Sequence, residues 1–196
     1  SDLVAEFLKE QNIKTVFGII GSANSHIFDS IDKLGYTKII NTHHEQAAVM
    51  AMGAHYRASG EISSAIVTAG AGASNAITGV VSNWADSIPG FIISGNESSY
   101  HIEEHSKLRM YGTQGFNVTK MVEDVTKYSH CLMNENNIQD ELEKCVKISD
   151  FHTGAFGAKR WHRLHYSYTL TTAGAERYCI HTTLTTRRKK KKKKKK

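Results

Sequence analysis

The chain has 196 residues, 40% of them hydrophobic, which is enough for one domain with a real core and too few for two. No apolar run is long enough to span a membrane, and the N-terminus lacks the basic, apolar and small-residue pattern of a secretory signal. The formal charge of +6 is divided, with 11 Lys/Arg and 18 Asp/Glu in residues 1–150 but 14 Lys/Arg and only Glu176 in residues 151–196, so a nucleic-acid footprint across the whole domain is excluded.

In chain order, Val4, Phe7 and Leu8 have helical spacing in an opening helix that ends near Asn12. Thr15–Ile20 is a short apolar run of strand length. Gly21-Ser22-Ala23-Asn24 is a turn with cap-type residues, leading into a helix that carries Ile27, Phe28, Ile31 and Leu34. Lys38–Asn41 is the next strand. Glu45–Ala58 predicts a helix rich in Ala and Met, closed by Gly60. Ser64–Thr68 is a third strand, Ala73–Trp84 a third helix, and Gly90–Ser94 a fourth strand.

Near-continuous apolar strands separated by helices predict a parallel sheet covered on both faces. The fold class is therefore α/β, a doubly wound, flavodoxin-like three-layer α/β/α domain over residues 1–150. Ligands of such domains bind at the carboxyl ends of the strands. Gly18–Asn24, Asn41–Glu45, Thr68–Asn75 and Ser94–Ser98 all fall at such ends, which places four motifs on one rim.

Beyond Asn96 the pattern loosens. Glu97–Ser106 is polar, Leu108–Phe116 reads as a loop entering a short helix, and Asn137–Val146 as a further helix. From Asp150 the periodicity vanishes, and the chain ends in Arg187-Arg188 and eight lysines, Lys189–Lys196. Such a run suits a basic arm for nucleic acid or an acidic membrane. A translated poly-A stretch after an out-of-frame segment gives the same run, and that reading is preferred over a functional arm. Either way residues 151–196 are expected to be a disordered basic tail, because so many like charges repel.

Cys131, Cys145 and Cys179 form no CxxC pair, and three cysteines close no disulfide set, which points to reduced thiols and a cytoplasmic protein. The first residue is Ser rather than Met, as in a processed chain or an excised fragment.

The blocks that carry chemistry are His43-His44-Glu45-Gln46-Ala47-Ala48, Gly70-Ala71-Gly72-Ala73-Ser74-Asn75 and Asp86-Ser87-Ile88-Pro89. A single acid opens a small-residue helix, and a glycine turn follows in the next strand–helix unit. Taken alone, Glu45 complements a helix dipole and the glycine turn is a common strand–helix junction. His43 and His44 diverge on any element, whereas a helical metal motif needs spacing such as H-E-x-x-H, so no metal site is assigned.

Together these blocks, from about Asp2 to Lys147, resemble the N-terminal pyrimidine-binding domain of thiamine-diphosphate-dependent enzymes, in the acetolactate synthase branch. The resemblance implies that Glu45 is the catalytic acid. Thiamine diphosphate reacts after its own aminopyrimidine removes a ring proton, and that step needs a second proton held near the pyrimidine. A carboxyl group in a poorly hydrated cleft can hold it, because burial disfavours the charged form. The cofactor supplies the organic chemistry, and the protein supplies this contact and the geometry.

The resemblance further implies that Gly70, Ala71, Gly72, Asn75 and Asn96 lie against the cofactor, Asn96 standing where the family has a glutamine that faces the cofactor or substrate. Ser22, Ala23, His44, Gln114 and Phe116 would lie on the substrate side. His43, Arg57, Gly60 and the Asp86–Pro89 block are expected to be structural. The chain departs from the family at Ala71 and Ile20, where prolines are usual, and at Thr153–Ala158, which begins the family's closing segment and then diverges.

Family members anchor the diphosphate through Mg²⁺ with a Gly-Asp-Gly motif and a later Asn. No Gly-Asp-Gly occurs in this sequence. The implied protein is half of a site, inactive alone, completed in a homodimer or higher oligomer or by a separate diphosphate-binding subunit. The implied substrate is a small 2-keto acid. FAD, used by some relatives, depends on a middle domain and has no support here. The alternative is a non-catalytic flavodoxin-like binding or regulatory module in which Glu45 only caps its helix.

Overall fold

The computed structural model describes residues 1–105, 107–150, 166–171 and 177–183. The four expected strands form as β1 (Thr15–Gly18), β2 (Lys38–Asn41), β3 (Ser64–Val67) and β4 (Gly90–Gly95). They pair in parallel in the order β2-β1-β3-β4. The helices between them are α1 (Asp2–Glu10), α2 (Ser25–Leu34), α3 (Glu45–Ser59), α4 (Ala71–Asn75) and α5 (Ile77–Asp86). Beyond β4 come α6 (Ser99–Glu104), α7 (Val118–Met121), β5 (Tyr128–Leu132) and α8 (Ile138–Asp150).

The strands' period of two sorts their side chains onto two faces. Val16, Ile66, Phe91 and Ile93 join α1, α2 and α8 in one core, with Leu8, Ile27, Ile31 and Leu142. Phe17, Ala65, Val67 and Ile92 join α3 and α5 in the other, with Val49, Met52 and Val80. This is the doubly wound three-layer arrangement expected from the near-continuous apolar strands.

The helix ends follow local chemistry. Gly35 and Gly60 close α2 and α3 in the left-handed conformation, their N–H groups bonding back to Ile31 and Tyr56. Arg57 near the end of α3 pairs with Asp86 at the end of α5, tying the two helices together. Ser87 takes φ 72°, and Ile88 N–H returns to the Asn83 carbonyl, which turns the chain into β4. The Asp86–Pro89 block thus has the structural role expected of it.

The structure differs from the sequence reading at three places. The third helix starts at Ala71 and is divided at Ala76, giving α4 and α5. The polar stretch after Asn96 contains the short helix α6, opened by Ser98, whose hydroxyl accepts from His101 N–H. Two segments of the stretch expected to lack order, Tyr166–Thr171 and Arg177–Thr183, run as strands β6 and β7. Strand β7 pairs antiparallel with β4, and β6 pairs with both β5 and β7. Tyr, Thr and Ile suit strands, and the otherwise open edge of β4 offers unpaired backbone groups for them to join. Thr153–Ala158 and Arg187–Lys196 lie outside the described residues.

Among the described residues no helix is long and apolar enough to cross a membrane.

Candidate functional site

The rim is built from the loops that leave the carboxyl ends of β1 to β4. After β1, Asn24 folds its own turn, its Oδ1 accepting from Gly21 N–H at 2.7 Å and its amide donating to the Ile19 carbonyl at 3.1 Å. After β2, Thr42 N–H donates to the Gly18 carbonyl at 2.8 Å, and the Thr42 hydroxyl to the His44 carbonyl at 3.0 Å. His44 then caps α3, its Nδ1 accepting from Gln46 N–H at 3.2 Å. That sequence of bonds fixes Glu45 as the first residue of α3, where the helix dipole favours a negative charge.

Glu45 is only 8% exposed, unusual for an acid whose neighbours His43 and His44 face solvent. The Asn75 amide donates to Glu45 Oε2 at 3.1 Å. A Cβ placed on Gly72 would fall 2.8 Å from Glu45 Oε1, so the glycine lets the turn seat directly on the carboxylate. Among the described residues Oε1 accepts no hydrogen bond. One oxygen is held and the other is left for a partner. Beside them the Thr68 hydroxyl oxygen is buried, with no hydrogen bond among the described residues, between Gly21 and Gly72.

The remaining candidates divide. Gly70, at φ 62°, stands under the Gln114 carbonyl, and a Cβ there would come within 2.3 Å of that oxygen. Gln114 therefore meets the glycine turn, although 44 residues separate them in sequence. Ala23 packs on Gly95, where a Cβ would fall 2.6 Å from its own. Ala71 is exposed at the first turn of α4, and Ser22 is exposed on the β1 loop. Phe116 is half-buried ahead of α7. Asn96 is buried, but its amide donates to Cys131 Sγ at 3.6 Å and its oxygen accepts from Glu97 N–H at 2.9 Å. Asn96, Arg109, Tyr111, Lys120 and Cys131 line a cavity of about 580 Å³ beside the rim.

Sequence reasoning missed Glu97 and Thr68. Glu97 is 7% exposed and its Oε1 accepts from Thr113 N–H at 3.1 Å and Gln114 N–H at 3.3 Å. Its setting in a polar stretch disguised its burial. The signal that could have found it is the pair Gly112 and Gly115, both of which press against Glu97.

A buried carboxylate with one oxygen held, a buried hydroxyl and a glycine turn pressed against both thus lie together on the rim. Residues 1–121 match the family described as thiamine pyrophosphate enzyme, N-terminal TPP binding domain. The chain belongs to this family. It is 32% identical over 152 residues to the acetolactate synthase large subunit of Haemophilus influenzae, covering 76% of this chain and 25% of that one. It is 33% identical over 152 residues to the acetolactate synthase isozyme 3 large subunit of Escherichia coli, with the same coverage. Against the chloroplastic acetolactate synthase of Arabidopsis thaliana it is 29% identical over 152 residues, covering 76% of this chain and 21% of the other. It is an acetolactate synthase-like N-terminal domain, and it spans about a quarter of the length of these curated relatives. Membership in a thiamine-pyrophosphate-dependent family implies that cofactor.

Proposed function

We propose that the chain is the pyrimidine-binding half of a thiamine-diphosphate-dependent 2-keto-acid decarboxylase or carboligase of the acetolactate synthase type. The observation that carries this reading is Glu45, buried at the start of α3 with Oε2 held by Asn75 and Oε1 left beside Gly72. Gly72 and Gly21 let the backbone close on Glu45 and Thr68 where a Cβ would clash with them, which sets the Thr68 hydroxyl beside Glu45 as a polar contact for the ring.

Thiamine diphosphate, when bound, supplies a nucleophilic ring carbon that attacks the keto group of the substrate. The residues of this chain orient and protonate. Asn75 fixes the plane of the Glu45 carboxylate, and Glu45 Oε1 holds a proton toward the pyrimidine. Gly70, Ala71 and Gly72 bring backbone close to the ring, and Gln114, seated on Gly70, borders the substrate side. Ser22, Ala23, His44 and Phe116 would extend that side, and Asn96, which lines the cavity past β4, would face the cofactor.

Mg²⁺ and the diphosphate would be anchored by a diphosphate-binding domain or subunit carrying the Gly-Asp-Gly motif, which does not occur in these 196 residues. The half-site alone would turn over negligibly. Three cysteines with no CxxC spacing favour a cytoplasmic assembly.

The test is reconstitution with a diphosphate-binding partner domain, Mg²⁺ and thiamine diphosphate, following C2 proton exchange on the cofactor. Glu45→Gln is expected to abolish the exchange. Exchange that survives this substitution would point instead to the non-catalytic binding module.

A further inference from the structure

We infer that Glu97 is a positioning residue that locks the Tyr111–Gly115 turn onto the Gly70 turn and so fixes the shape of the cofactor side of the rim. The inference rests on the functional reading above for its consequence, but not for its geometry.

Glu97 lies two residues past the end of β4 and is buried. Its Oε1 gathers two consecutive amides, Thr113 at 3.1 Å and Gln114 at 3.3 Å. Tyr111 and Gly115 close the same turn with a reciprocal pair of backbone bonds, each 2.8 Å. Gly112, at φ 60°, and Gly115 both face the Glu97 side chain, where a Cβ would fall 2.4 Å from Oε2 and 2.5 Å from Cγ. The turn is thus wrapped around the carboxylate. Its far side carries the Gln114 carbonyl, which stands over Gly70 at the start of the turn that holds Gly72 and Asn75 against Glu45.

The chain of contact therefore runs Glu97, Gln114, Gly70, Gly72, Glu45. A neutral side chain of similar length can still accept both amides through its carbonyl oxygen, whereas a short one cannot reach them. His101 Nδ1 lies 3.8 Å from Glu97 Oε2, too far for a hydrogen bond, whereas the two backbone amides are within range of Oε1.

Hydrogen exchange on the full chain tests the geometry. Glu97→Ala is expected to speed exchange at Thr113 and Gln114 about tenfold or more, and to speed the Gly70–Asn75 segment with it, while Ser64–Val67 in β3 stays protected. Glu97→Gln is expected to restore both segments, and Glu97→Asp, one methylene shorter, to fall between. If Glu97→Ala does not fold, the Gln and Asp pair decides the question. Unchanged exchange at Gly70–Asn75, or a matching rise in β3, overturns the inference.

In the reconstituted assembly, Glu97→Ala is expected to raise the thiamine diphosphate concentration needed for half-saturation about tenfold, with kcat at saturation retained and Glu97→Gln restoring affinity. A lost kcat at unchanged affinity also overturns it. If Glu45→Gln leaves C2 exchange intact while the amide pattern holds, the functional reading fails and the positioning contact stands.

Discussion

Two buried carboxylates lie on the same rim and are held by different kinds of donor. Glu45, between β2 and α3, opens its helix with one oxygen on the Asn75 amide and the other without a hydrogen bond among the described residues. Glu97, after β4, spends one oxygen on two backbone amides of a turn folded around it. A carboxylate that gathers two consecutive backbone N–H groups fixes the turn that carries them. A carboxylate held by a single side-chain amide keeps more of its hydrogen-bonding capacity for a ligand. The difference between the two acids, and not burial, which they share, distinguishes the residue proposed to act from the residue inferred to position.

The strongest way to break this comparison is to remove the proton-holding capacity of the first acid. Glu45→Gln keeps the Asn75 contact through its amide oxygen, and should lower C2 proton exchange in the reconstituted assembly by about 10²–10⁴-fold with an unchanged far-ultraviolet dichroism spectrum. A Glu97→Gln control in the same assay should retain exchange.

The next largest effect tests the bridge between the two regions. Gly70→Ala forces a side chain into φ 62° and against the Gln114 carbonyl, and should lower unfolding stability by about 1–3 kcal/mol, read as a fall in the urea midpoint. Asn75→Ala sharpens the account of how Glu45 is held. Losing one partly buried hydrogen bond to a carboxylate should cost about 1 kcal/mol in the same titration, with a larger loss of C2 exchange than of stability.

The smallest effect belongs to the region after β4. Lys127, just before β5, donates to the Ile148 carbonyl at 3.1 Å, and burial brings its pKa down to about 8. The unfolded chain then binds more protons than the folded one between the two pKa values, so stability should rise as pH climbs from about 8 to about 10.5. Lys127→Met should flatten that rise, measured by denaturant midpoints across the interval.

Much of the architecture was legible because it is local. Apolar runs at Thr15–Gly18, Ser64–Val67 and Gly90–Gly95, alternating with helices of clear period, left few alternatives to a parallel sheet with both faces covered. The rim followed from topology alone, since every strand of a doubly wound sheet delivers its loop to the same edge. The region beyond Asn96 was illegible for the converse reason. Strand β5 carries Ser, His and Cys with no clean alternation, and its partners β6 and β7 come from the far end of the chain. Propensity in such a strand is decided by what lies beside it.

By itself, then, the sequence determined the parallel sheet, its two cores and the placement of Glu45 at the mouth of a helix, because periodicity and helix signals act within a few residues. Only the tertiary structure decided which donors hold each acid. Asn75 reaches Glu45 across 30 positions and Gln114 reaches Gly70 across 44, and hydrogen-bond commitment at those distances is set by how the turns pack.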